Sequence, residues 1–250
     1  MAASPKMPRT VACASCPLRA SGHFRALAGS ELEFIEEFKI GELTVEAGGP
    51  LILEGSNSPH LYTLFQGWAF RFKTLADGRR QVLNYVMRGD FVGLQSSLFN
   101  TMGHGVEALT PVRLCVFPRD RLWRLFERHP ALGFDITWLA AREERSLDEQ
   151  LLSIGRRTAI EKLAFTICFL YSRAQGVGLV ENGRLQLPIT QQLLADTIGM
   201  SVVHTNKTLQ RLRAMKCIRW DRGELEIVDE DKLFAIAETE REEPPGRPLI

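Results

Sequence analysis

The stretch whose reading decides the fold is residues 190–213, TQQLLADTIGMSVVHTNKTLQRLR. Leu194, Ala195 and Ile198 give a first helix an apolar inner face. Gly199 falls where a tight turn needs positive φ, with Met200 packed beneath it. Ser201 is placed to cap a second helix that turns Val203, His204, Asn206, Lys207 and Arg211 outward. The pattern predicts a helix-turn-helix. Its second helix suits the DNA major groove, where Asn and Lys can hydrogen-bond base edges and phosphates. The competing reading is a helical hairpin with a purely structural role. Thr190 and Gln191 open the first helix, where they are expected to meet phosphate with the help of the helix N-terminus, or simply to cap it.

Charge supports the first reading. The whole chain of 250 residues carries a net charge of +1, so no overall field advertises a polyanionic partner. Residues 190–222 nevertheless gather Lys207, Arg211, Arg213, Lys216, Arg219 and Arg222 against Asp196 and Asp221. A local basic patch on a near-neutral chain fits a modular DNA reader better than a non-specific coat. Downstream, CIRW and ELEIVD flank Asp221-Arg222-Gly223, which predicts a two-stranded wing with Arg222 at a basic tip near the phosphate backbone. A short helix is expected over 229–239.

Upstream, residues 41–117 read as short strands. Gly55, Gly67, Gly78 and Gly89 recur about eleven residues apart, the rhythm of an antiparallel barrel or roll, and Asp77-Gly78 marks a hairpin. Residues 30–38 predict a short helix capped by Ser30. Pro130 opens a long helix ending near Ile154, about 35 Å in length. Along it Leu132, Ile136, Leu139, Glu143, Leu147, Leu151 and Ile154 form a narrow seam, apolar except at Glu143. The seam predicts a self-pairing helix whose register Glu143 could set; the alternative is a helix packed on its own domain. The run Arg142-Glu143-Glu144-Arg145 reads as a solvated face. A helix over 158–173 and a hairpin through 180–184 complete the pattern.

No Gly-rich phosphate loop, metal-ligand cluster or nucleophile with a recognisable base suggests an enzyme. The five cysteines make an odd count without a dense framework, and no segment reads as a membrane span or a secretory signal, so the expected location is the cytoplasm. The expected organisation is an extension over 1–28, a sensor domain over 29–129, a dimerisation helix over 130–155, a DNA-binding domain over 156–240, and a polar, proline-rich disordered tail over 241–250.

Taken together, GRRQVLNYVMRGDFVG (78–93), the long helix after Pro130 and the helix-turn-helix resemble the Crp/Fnr family of bacterial transcription regulators. The resemblance implies an α+β fold: an N-terminal, cyclic-nucleotide-binding-like β-roll sensor, a long dimerisation helix and a C-terminal winged helix-turn-helix. It implies a homodimer on a palindromic site, recruitment of RNA polymerase, and control by a small-molecule or redox signal at the roll. A reading of a different class is a signal-binding module that controls a partner protein. Family members that bind cyclic AMP carry a Glu after the Gly of GDF-x-G and an Arg-Ser pair downstream. Here Leu94-Gln95 follows Gly93, and Gly105 and Val106 take the Arg-Ser positions, so a cyclic phosphate would lack its charge partner. Fnr-type oxygen sensors hold an iron–sulfur cluster on four cysteines. Cys13, Cys16 and Cys115 match three of them, while Gly22 stands at the other with His23 beside it. A cluster would need His23 or solvent to complete it; a vestige, a redox pair or small-residue packing are the other readings of the C-x-x-C. Cys168 and Cys217 read as buried hydrophobes. In the recognition helix, relatives often carry Glu and Arg where this chain has Val203 and Lys207, which predicts a different half-site, with Asn206 as the adenine reader.

Overall fold

The computed structural model describes residues 10–241 and 246–250. Its N-terminal extension packs against the rest through a short helix α1 (Pro17–Ala20), and α2 (Gly29–Phe38) follows. Ser30 lies inside α2 rather than capping it; Glu31 instead reaches back to accept from Ala28 N at 2.8 Å.

The roll is two four-stranded antiparallel sheets, not a closed barrel. Its strands are β1 (Gly41–Val45), β2 (Pro50–Ile52), β3 (His60–Gln66), β4 (Ala69–Thr74), β5 (Arg80–Val86), β6 (Phe91–Val92), β7 (Gly105–Ala108) and β8 (Val112–Pro118). They pair in the orders β1-β8-β3-β6 and β2-β7-β4-β5. The hairpin predicted at Asp77-Gly78 joins β4 to β5, with Gly78 at φ 87. Helix α3 (Leu94–Phe99) interrupts the roll, and α4 (Leu122–Arg128) leads into the long helix α5 (Pro130–Arg156).

Helix α5 corrects the seam. Leu132 and Ile136 are buried in the chain's own core against α2 and α4, so these two are not available to a second copy, while Leu139 is half-buried at the core's edge. Leu147, Leu151 and Ile154 remain exposed. Glu143 does not mark a pairing register. It forms an ion pair with Arg71 of β4 at 2.7 Å and accepts from Asn84 Nδ2 of β5 at 3.0 Å. Arg142 is likewise half-buried, so only Glu144 and Arg145 of the run 142–145 form an exposed face. The long-range ion pair outcompetes solvation because Arg71 is itself largely buried and needs a counter-charge.

The C-terminal domain contains α6 (Ala159–Gly176), β9 (Val180–Glu181), β10 (Arg184–Gln186), α7 (Gln191–Ile198), α8 (Val202–Ala214), β11 (Ile218–Asp221), β12 (Glu224–Ile227) and α9 (Glu230–Ala237). The wing is larger than two strands, because β12 also pairs with β10, giving the sheet order β11-β12-β10-β9. One hydrophobic cluster runs from Phe70, Tyr85 and Met87 of the roll into Phe165, Leu170 and Ile198 of this domain. At about 1.5–3 kcal/mol for each fully buried side chain, this shared core ties the two units together. Among the described residues, no helix is long and apolar enough to cross a membrane.

The expectation of a disordered tail fails at its end. Residues 242–245 lie outside the described residues, but Arg247, Pro248, Leu249 and Ile250 are all buried. Composition suggested a segment too polar to fold; Arg247 is instead neutralised by Asp90, and the two aliphatic side chains are covered.

Leu132→Ala should cost about 2–5 kcal/mol in urea unfolding, because its side chain is fully enclosed. Leu151→Ala, at a position 73% exposed, should leave the isolated subunit within about 0.5 kcal/mol. His104 lies buried in the roll beside Arg71 and Glu143, and burial, reinforced by the Arg71 charge, pushes its pKa from 6.5 down to about 4. The native state therefore binds fewer protons than the unfolded chain between those two values, so stability should fall as pH drops through that interval. The loss should reach up to about 3 kcal/mol and disappear in His104→Gln, as read from unfolding midpoints across the pH range.

Candidate nucleic-acid interface

The 190–213 stretch folds as the sequence predicts: α7, a turn, then α8. Gly199 sits at φ 67, the left-handed conformation that ends α7, and its N–H reaches Ala195 O. Thr190 Oγ1 accepts from Leu193 N at 3.2 Å, so Thr190 caps α7, while Gln191 beside it is exposed. Ser201 Oγ accepts from His204 N at 3.3 Å and caps α8. Thr205, Thr208, Leu209 and Leu212 form the buried face of α8, which fixes what the opposite face presents.

That outer face carries Val203 (66% exposed), His204, Lys207 and Arg211. Asn206 is half-buried, and its Oδ1 is turned inward without a hydrogen-bond partner among the described residues, so a base contact requires its amide to rotate. Sequence reasoning missed Gln210. It is exposed and lies three residues after Lys207 and four before Ala214, on the stripe that begins at Val203, a spacing legible from the sequence once the helix is drawn. A Gln there can pair with adenine through two bonds.

The basic patch is smaller than its residue list. Arg213 donates to Trp220 O, and Arg219 pairs with Glu226 at 2.7 Å, so both are occupied within the wing. Lys207, Arg211 and Lys216 form no ion pair with another described residue and stay exposed. Arg222 stands at the wing tip with its side chain 93% exposed, in a turn where Arg222 and Gly223 take φ 48 and 83. Positive φ at both positions matches the tight hairpin that a twisted strand pair requires. Among the described residues Arg222 pairs loosely with Asp221 at 3.8 Å, in open solvent where the contact counts for little.

The reading helices are mounted on the roll. Gln81 Nε2 of β5 donates to Thr197 O at 2.9 Å. Thr197 Oγ1 spends its proton on Leu193 O, so the Tyr85 hydroxyl donates to Thr197 Oγ1, at 2.8 Å. Burial drives the Tyr85 pKa upward, keeping that donor protonated. Deeper in, Asp90 of the GDF motif accepts from Arg173 Nη2 of α6 at 2.9 Å, from Met87 N at 2.6 Å, and from Arg247. Burial opposes its charge, but Arg247 and Arg173 hold its carboxyl well below the usual range.

The two sensor chemistries implied by the resemblance can be tested on these residues. For a cyclic nucleotide, a Cβ at Gly105 would meet the Phe72 ring at 2.7 Å, and Val106 is buried, so neither position can present a charge partner to a phosphate. Arg71 is already neutralised by Glu143 and donates to Phe91 O at 3.1 Å. These residues do not fit a cyclic phosphate. For an iron–sulfur cluster, Cys13, Cys16 and Cys115 do line one pocket, with Arg19 and Lys39. His23 does not join them; its ring packs at Gly178 instead. Burial raises the thiol of Cys13 and pushes that of Cys115 up to about 11, and apolar Leu249 and Ile250 line the same pocket. Among the described residues, no group of three or more His, Cys, Asp or Glu side chains is placed to hold a metal ion. A four-ligand cluster does not fit this arrangement. Cys168 and Cys217 are buried, as expected of packing residues.

Comparison with known proteins agrees with this architecture. A family model for the cyclic nucleotide-binding domain matches residues 42–129, and one for the Crp-like helix-turn-helix domain matches residues 161–236. A protein of Rhizobium leguminosarum bv. viciae described as a "probable transcriptional activator" is 30% identical over 209 residues, covering 84% of this chain and 85% of the relative. The nitrogen fixation regulation protein FixK of Bradyrhizobium diazoefficiens is 26% identical, covering 90% and 93%. Among solved structures, FixK2 from Bradyrhizobium japonicum superposes with a TM-score of 0.71 at 20% identity, covering 81% of this chain and 98% of that one, which supports the fold. With a roll, a long helix and a winged reading head in this order, the chain belongs to the Crp/Fnr family of DNA-binding transcription regulators, which are not enzymes.

Proposed function

We propose that two copies of this chain pair along α5 and present their α8 helices to a palindromic operator, regulating transcription in response to a signal received at the roll. The observation that carries the reading is the exposed stripe of Val203, Lys207 and Gln210 on a helix whose other face is locked in the core. Pairing is supported by the side of α5 turned away from the roll. Phe134 and Leu152, 71% and 49% exposed, share that side with Ala141 between them, and Leu151, 73% exposed, lies about a quarter turn round the helix. Uncovered apolar side chains on a helix of 27 residues cost free energy in water that a partner helix would recover. This side replaces the seam expected from the sequence; of that seam Leu147, Leu151 and Ile154 remain exposed. By family analogy the dimer acts in the cytoplasm and recruits RNA polymerase.

Selection of bound sites from random duplex DNA tests the reading. The expected result is a palindrome whose half-sites lie about 34 Å apart, with the protein sedimenting as a dimer. A subunit that stays monomeric and enriches no sequence contradicts it. Lys207→Ala and Asn206→Ala should each cost about 1–3 kcal/mol on the selected site and relax preference at one base pair. Arg222→Ala should weaken all sequences alike and flatten the salt dependence.

A further inference from the structure

Residues 247–250 occupy a seat built jointly by the N-terminal segment and the roll. Arg247 pairs with Phe24 in a parallel bridge and accepts from Arg25 N at 2.7 Å, while its Nη2 donates to Gly89 O at 3.0 Å and to Asp90. Leu249 O accepts from Arg19 Nη2 at 3.3 Å, and Ile250 O accepts from the buried hydroxyl of Thr63 at 2.7 Å. Leu249 and Ile250 then help line the pocket that holds Cys13, Cys16 and Cys115. The same Asp90 holds Arg173 of α6. A single short segment therefore lines one pocket with the three thiols and pairs with the carboxylate that anchors the DNA-binding domain.

We propose that residues 247–250 are a regulatory strap. Docked, it shields Cys13, Cys16 and Cys115 and keeps the surroundings of Asp90 dry. Released, it opens the thiols to solvent and admits water beside Asp90, where an ion pair to Arg173 holds less strongly. Occupancy of the thiol pocket and the grip on α6 are then coupled, and the coupling is reciprocal: a bulky group added to a pocket thiol, as when the sulfur adds across the C=C bond of a maleimide and the proton goes to the adjacent carbon, dislodges the strap and loosens α6. The consequence for DNA reading rests on the function proposed above; the strap itself does not.

The test uses the full chain and measures the rate of N-ethylmaleimide alkylation at each cysteine by peptide mass spectrometry. Arg247→Ala, and the milder Leu249→Ser, should raise the rates at Cys13, Cys16 and Cys115 by about tenfold or more while leaving Cys168 and Cys217 unchanged. Hydrogen exchange in α6 should quicken in Arg247→Ala, and in the native chain after its pocket thiols are alkylated. Unchanged rates at the three pocket thiols in both variants overturn the proposal. So does equal acceleration at all five cysteines in both variants, which reports general loosening, or exchange in α6 that ignores the strap. A strap that passes while the protein enriches no DNA sequence overturns the proposed function alone.

Discussion

A buried carboxylate holds this molecule together across its domains. Asp90, almost fully enclosed, receives Arg173 from α6 and Arg247 from the C-terminal segment, and it closes its own turn through Met87 N. Such an arrangement contributes little over a well-packed apolar one, but removing any partner strands a charge in a dry interior, which is costly. Its consequence is geometric. The first helix of the DNA-binding domain is pinned to the roll at one place and orientation, so α7 and α8 inherit their position from β5 and from Asp90 rather than from a free linker. The shared apolar cluster around Tyr85 supplies the bulk of the attachment; the polar contacts choose its register.

The same logic explains α5. A long helix with apolar residues on several sides must divide them between its own domain and any neighbour. Leu132 and Ile136 go to the roll, Glu143 goes to Arg71, and Phe134, Leu151 and Leu152 are left facing outward. Because Glu143, Asn84, Arg173 and Asp90 are linked by successive contacts, a change near Arg71 in the roll lies one connected polar path away from α6. Proximity of this kind supplies a physical route along which a change at Arg71 could reach α6.

Much of the fold was legible in the sequence because it is written in local chemistry. Gly199 at a left-handed turn, Ser201 at a helix cap and Asp77-Gly78 in a hairpin each carry their geometry in their own side chains, or in lacking one. The outward face of α8 followed from periodicity, and it places Val203, His204, Lys207 and Arg211 on the surface. What could not be read depends on contacts between distant residues. Periodicity marks Leu132 and Leu151 alike as apolar but is silent on which neighbour covers each. Glu143 looks solvated until Arg71 arrives from another strand. The polar, proline-rich end looks disordered until Asp90 accepts Arg247. Three cysteines do converge on one pocket, but His23 is carried elsewhere by its contact at Gly178, which no spacing rule would reveal.

The most direct measurement is a double-mutant cycle on Asp90 and Arg173. Asp90→Asn, Arg173→Gln and the double variant would be compared by urea unfolding at neutral pH. The account predicts that each single change is strongly destabilising and that the pair couples by about 2 kcal/mol or more, since the two groups neutralise each other in the interior. Additive effects, with a coupling energy near zero, would show that the DNA-binding domain is not anchored to the roll through this carboxylate.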